Sequence, residues 1–187
     1  DLLTKIIQKR NNKSDLNLYT SSSATNINDS MSYNNLINNK RIDISKEITP
    51  KLLKEINRGK WIEKKEGIEY INSVIDKANN KISKNGLLEL FDLIKDKLND
   101  GNINLVKITL QLLNHLIVAL DNQIKAFYKI MVYPLLLKLS DKSKQIRDEC
   151  HSCVENWIKL QNFEIFAVYL PQLLISTPSA SIPYLSL

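Results

Sequence analysis

Three short turns recur one helix-pair length apart, each between an apolar helix and the start of another: Asn57-Arg58-Gly59-Lys60-Trp61, Asn99-Asp100-Gly101-Asn102 and Ser140-Asp141-Lys142-Ser143-Lys144. The apolar residues that precede them, Ile56, Leu98 and Leu139, are 42 and 41 residues apart. Such a period constrains the fold strongly. Each helix pair must bury its apolar face against the next pair, and equivalent turns then fall along one edge. A tryptophan and several lysines and arginines scattered in sequence are expected to form one surface stripe there.

The period has the HEAT or armadillo size, so the chain is expected to be all-α, a solenoid of paired helices. With 187 residues and 43% hydrophobic content it can bury one core over most of its length, and only four Gly and five Pro argue against a fold rich in β-turns. The net charge of +6 favours an acidic partner: nucleic acid, an anionic membrane or an acidic protein surface. No apolar run is judged to approach the roughly 18 to 20 residues of a bilayer span, and the first residues lack a charged segment followed by an apolar one. A soluble, intracellular protein is expected, and Cys150 and Cys153, the two cysteines, supply no disulfide framework. Because the chain starts at Asp1 and stops at Leu187 within an apolar pattern, it is expected to be a segment of a longer protein.

Residues 1–10 carry a short amphipathic pattern, marginal as a helix without tertiary support. Residues 11–40 are rich in Asn and Ser and read as a linker. Order is expected from Arg41 onward, in helix pairs over about 50–79, 86–120 and 123–160, with an incomplete fourth pair over 163–187. Thr49-Pro50 is a good helix start and Gly59 a good stop, which predicts a first helix over 50–58. Ile68, Ile71, Val74, Ile75 and Ala78 mark the second helix by their spacing. The stripes Leu87, Leu90, Phe91, Ile94, Leu98 and Leu105, Ile108, Leu112, Leu116, Ala119 mark the next pair. A third pair follows from Ile124, Phe127, Ile130, Met131, Leu135, Leu139 and from Ile146, Cys150, Cys153, Val154, Trp157. Pro134 is expected to kink or divide its helix. A seventh helix is expected over about 163–175, with a turn at 177–183. Its partner only begins before Leu187, so an exposed apolar end that frays or associates is expected.

Cys150-His151-Ser152-Cys153 has the spacing of a zinc or redox motif. No second cysteine pair exists and both thiols continue an apolar stripe, so buried core thiols are the better account and no metal is expected. No phosphate-binding glycine loop, Ser/His/Asp set or paired carboxylates stands in a plausible context, so neither enzymatic activity nor a cofactor is expected.

The stretch Trp61-Ile62-Glu63-Lys64-Lys65-Glu66-Gly67-Ile68 resembles the Trp-x-x-Arg/Lys-Lys-Glu-Gly/Ala-Leu signature that opens TOG domains, the tubulin-binding HEAT-repeat arrays of microtubule polymerases and of the related CLASP-type stabilisers. The stretches Leu98 to Val106 and Leu139 to Arg147 resemble the second and third turns of that family. The lead-in Arg41 to Thr49 is most similar to the entry of the fourth TOG domain of the polymerases. The resemblance covers roughly residues 41–160. A TOG domain has six repeats, of which this chain holds three and part of a fourth.

This resemblance implies a tubulin- or microtubule-binding module without catalysis, placed in the cytoplasm on the cytoskeleton, with αβ-tubulin and other domains of a longer chain as partners. By position, it implies that Trp61, Lys64, Lys65, Lys142, Lys144 and Arg147 meet tubulin; in the second turn any contribution falls to Asn102 or Asn104. The chemistry suits such a role: a tryptophan in a short turn is a rigid anchor, and lysines and arginines around it raise the encounter rate with an acidic partner. Structural roles stand beside these. Trp61 can staple its own helix pair, Lys64 and Lys65 can form a solvated face with Glu63, Glu66 and Glu69, and Arg147 can pair with Asp141 to hold its turn. Two other functions use the same stripe: a structural array packing against another domain, and, ranked last for want of interleaved aromatic residues, sequence-independent nucleic-acid binding.

Overall fold

The computed structural model describes residues 40–161, 164–169 and 171. The expected helix at 1–10, the linker over 11–39, most of the expected seventh helix and the turn at 177–183 lie outside the described residues.

Helix α1 (Pro50–Arg58) starts at Thr49, whose backbone is extended and whose hydroxyl accepts the Leu52 N–H at 3.2 Å, with Pro50 at the first helical position. Gly59 ends α1 without entering the left-handed region, since its φ is −68°. Glycine is needed there for space: a Cβ would lie 2.4 Å from the Glu55 carbonyl oxygen. Helix α2 (Trp61–Lys77) buries Ile68, Ile71, Val74 and Ile75 and crosses α1 closely at Gly67, where a Cβ would meet Ile56 Cγ1 at 2.4 Å.

Helices α3 (Leu88–Lys97) and α4 (Ile103–Leu120) form the second pair. The expected long helix after α4 is divided into a 3-10 helix, Asp121–Phe127, and α5 (Tyr128–Lys138). Pro134 lies inside α5, and the division falls earlier, at Phe127 with φ −107°. The chain leaves α4 with no linker, through Asp121 at φ 51° and ψ −129°, and the next residues wind tightly. Helix α6 (Lys144–Leu160) completes the third pair, and α7 (Glu164–Ala167) follows. In two layers, α1, α3 and α5 pack in succession, as do α2, α4 and α6.

The core runs between the layers. Phe91 stacks on Phe127 with ring centroids 3.8 Å apart, and fully buried Trp157 meets Phe166 edge-on at 6.1 Å. The sequence-based judgement about apolar runs needs correcting. A window within Ile103–Lys138 has a mean hydropathy of 1.6, long and apolar enough for a membrane span, yet 56% of it is buried. Helix α4 is apolar on nearly every side because both layers and both neighbouring pairs cover it.

Ahead of α1, residues 41–48 clasp the opposite edge, where one pair passes to the next. Ile42 donates to the Lys81 carbonyl at 2.9 Å and accepts from Ser83 N–H at 2.8 Å, a single parallel β-bridge with Ile82, while Ile44 and Ile48 are buried. The Arg41 guanidinium donates to the carbonyls of Ile82 at 3.3 Å and Ala119 at 3.0 Å and to Asp121 Oδ2 at 3.0 Å. One side chain thereby satisfies a carbonyl from the last turn of α4 and ties two connections together.

Candidate partner-binding edge

Of the three turns that join the helices within pairs, the second and third are built on one plan. In the second, Asp100 Oδ1 accepts the Asn102 N–H at 2.9 Å, and Asn102 Oδ1 caps α4 by accepting from Asn104 at 3.0 Å and Leu105 at 3.4 Å. In the third, Asp141 Oδ1 accepts the Ser143 N–H at 3.0 Å, while Arg147 Nη1 donates to the carbonyls of Asp141 at 2.8 Å and Lys142 at 3.0 Å. The first lacks that aspartate. Lys60 has no side-chain acceptor, so only the return half of a capping box forms, with Glu63 Oε2 accepting the Lys60 N–H at 2.6 Å.

Two lysines tie the first turn to the second. Lys97, nearly buried at 8% exposure, donates to the Asn57 carbonyl at 3.0 Å, and Lys64 pairs with Asp100 Oδ2 at 3.5 Å. Burial holds the Lys97 ammonium below the ordinary lysine range, and the nearby Lys64 charge adds to this. The Asn102 N–H holds the Asp100 carboxyl below its usual range, with Lys64 assisting against the opposing effect of burial. In the third turn Lys138 pairs with Asp141 Oδ2 at 3.3 Å.

The expected stripe residues therefore separate by local role. Trp61 stands at the first position of α2 with 37% of its surface exposed. Lys65 and Lys144 are exposed and make only helix-surface pairs, with Glu69 at 3.5 Å and Asp148 at 2.9 Å, and Lys142 is exposed. Lys64 is half-buried in its ion pair, Asn102 caps α4, and Arg147 holds its turn through carbonyls, without the Asp141 carboxylate the sequence reading offered it.

Two exposed apolar residues were missed in the sequence reading: Ile62 at 65% and Ile103 at 52% exposure. Ile103 stands 42 residues after Trp61, at the same first helical position, and Lys144 occupies that position in the third pair, 41 residues further on. Lys97 and Asp100 were missed as well. Their counterparts Lys138 and Asp141 follow at 41 residues, so aligning the repeats position by position would have found Ile103, Lys97 and Asp100.

Away from this edge, Cys150 and Cys153 are buried, and their thiols donate to the carbonyls of Leu135 at 2.9 Å and Leu110 at 3.3 Å. Burial pushes both thiols well above the ordinary range, which suits core packing over reactivity. Among the described residues no group of His, Cys, Asp and Glu is arranged to hold a metal ion.

Helix pairs stacked in two layers with equivalent, capped turns along one edge define an all-α HEAT-repeat solenoid. The solved structures include this arrangement: a chain from work on the structural basis of microtubule plus-end tracking by XMAP215, CLIP-170 and EB1 superimposes with a TM-score of 0.66 at 16% identity, over 77% of this chain and 60% of that one. The fold is the helix-pair solenoid of TOG type.

Among curated proteins, the chain is 30% identical over 146 residues to Protein MOR1 of Arabidopsis thaliana and 28% identical over 130 residues to Protein MOR1 of Oryza sativa subsp. japonica, matches that cover 78% and 70% of this chain. It is 27% identical over 128 residues, 67% of its length, to Centrosomal protein 224 of Dictyostelium discoideum. The aligned parts amount to 7%, 6% and 6% of those proteins, so the chain corresponds to a small portion of each. No protein-family model matches it.

Proposed function

We propose that the chain is a TOG domain, a tubulin-binding module of a microtubule polymerase or plus-end regulator, acting by binding without catalysis. The reading is supported by similarity to the MOR1 proteins and by the TOG-type fold. The observation that carries the mechanism is the repeated first helical position, where Trp61 and Ile103 stand exposed beside Lys65 and, one pair on, Lys142 and Lys144. Trp61 is the anchor, Ile103 and Ile62 extend the apolar contact, and the three lysines steer an acidic partner and set its register. Lys64, Asn102 and Arg147 belong to the same surface as positioning residues that hold the turns.

The lead-in Arg41 to Thr49 ranks the module with the fourth TOG domain of the polymerases. In a longer chain several such modules raise the local tubulin concentration, with segments such as residues 11–40 setting their reach. That places the protein on the microtubule cytoskeleton.

The test is fluorescence anisotropy of the chain with αβ-tubulin. Trp61→Ala is expected to weaken binding by about 2 kcal/mol, roughly 30-fold, and Lys142→Ala/Lys144→Ala to weaken it mainly at low salt. Equal affinity of wild type and Trp61→Ala would reject the reading. One observation favours a structural array instead: Lys64, Lys97, Lys138 and Arg147 are all occupied within the fold. In that case tubulin does not bind and the edge packs against another domain.

A further inference from the structure

We propose that the opposite edge, formed by residues 40–43, 77–86 and 121–125, is a second docking surface, for an extended acidic polypeptide segment. Three chain segments meet there. The Ile42 bridge fastens 40–43 to 81–83, and Lys84 N–H donates to Gln123 Oε1 at 2.8 Å, joining the second segment to the third. Lys40, Lys77, Lys84 and Lys125 are exposed on these segments, and none makes an ion pair among the described residues. The carboxylates present are mostly engaged: Asp121 with Arg41, Asp76 at 3.4 Å from His115, and Asp43 with the Ser45 N–H at 2.9 Å. On the turn edge, by contrast, Lys64, Lys97, Lys138 and Arg147 are tied down within the fold.

The shape of the surface selects an extended polypeptide. Residues 40–43 meet 81–83 at one parallel β-bridge through Ile42, while the backbone groups of Arg41 and Asp43 on either side of it make no hydrogen bond among the described residues. Alternate residues of a strand direct their main-chain groups to opposite sides, so this free side can pair with an added strand. Ile42, 45% exposed, offers an apolar contact beside it. Nucleic acid fits less well, because the three segments contain no aromatic residue for base stacking. A second copy is disfavoured by the shared net charge of +6. The chain's own first 39 residues hold four Lys and Arg against three Asp, so they do not supply the acidic segment.

The probe is a fluorescein-labelled 12-residue peptide of alternating Glu and Thr, titrated with the full chain by anisotropy at low and physiological salt. Binding is expected to weaken at least tenfold in Lys40→Glu/Lys84→Glu/Lys125→Glu and less than twofold in Lys142→Glu/Lys144→Glu, with circular dichroism showing both variants folded. The peptide N-methylated on alternate residues is expected to bind at least fivefold more weakly. A single-stranded 12-nucleotide oligothymidine is expected to bind more weakly than the peptide. The proposal is overturned if the peptide does not bind, if both variants lose affinity equally, if N-methylation has no effect, or if the oligonucleotide binds more tightly. Trp61→Ala is expected to leave peptide binding unchanged, which separates this surface from the tubulin-binding reading.

Discussion

The two edges of the solenoid fasten the same helices by different means. Along the turn edge the connections are short and capped by side chains two or three residues away, such as Asp100 to Asn102 and Asp141 to Ser143. Along the opposite edge, left-handed residues and long-range ties do the work: Asn79, Asn80, Gly86 and Asp121 have positive φ, and Arg41 reaches Ala119 and Asp121. Locally capped turns can be repeated and varied at their exposed positions without disturbing the fold. A clasped edge depends on the lead-in being in place.

The largest expected effect tests the packing behind the turn edge. Gly67→Val drives a branched side chain into Ile56 and is expected to lower unfolding free energy by about 3 kcal/mol in urea denaturation at unchanged m. A neutral result would mean that α1 does not rest on α2. Next, Arg41→Ala removes charged hydrogen bonds to two carbonyls and to Asp121, and about 2 kcal/mol is expected to be lost. A loss below about 0.5 kcal/mol would reduce the clasp to an ordinary surface pair.

Glycine exchange separates the edges by sign. Gly59→Ala is expected to cost about 1 kcal/mol, because the Cβ meets a carbonyl, whereas Asn79→Gly, at φ 52°, is expected to gain about 0.5 kcal/mol. Thermal melts of the two variants that move in the same direction would break the contrast.

The smallest effect is acid dependence at the turn edge. Asp100 has its carboxyl pKa depressed below 3.8 in the folded state, so its contribution is present above 3.8 and is lost as pH falls through the depressed folded value. Asp100→Asn is expected to be less stable than wild type by under about 1 kcal/mol at neutral pH, with the difference vanishing in acid. A gap that persists at low pH would assign the loss to something other than charge.

Much of the fold was legible in sequence because its signals are local. The Thr49-Pro50 start, the capping residues of the turns and the buried stripes each involve neighbours within a few residues, and Cys150 and Cys153 declared themselves core by continuing one stripe. The apolar length of the Ile103–Lys138 stretch was underestimated, and because hydropathy cannot distinguish a lipid surround from a protein one, only the structure shows that 56% of its apolar window is buried. Of the candidate edge, the motif nominated Trp61 and the lysines, but which cations remain free was not legible in the sequence. Lys64 finds Asp100 across 36 residues, Lys97 finds Asn57 across 40, and Arg41 finds Asp121 across 80.

The sequence by itself determined the helix pairs, their period and the edge on which their turns lie, since caps and apolar spacing act over one or two helical turns. Only the tertiary structure decided how each charge on the two edges is used. Pairing between charges remote in sequence depends on how the helices stack, and that stacking is set by the whole core.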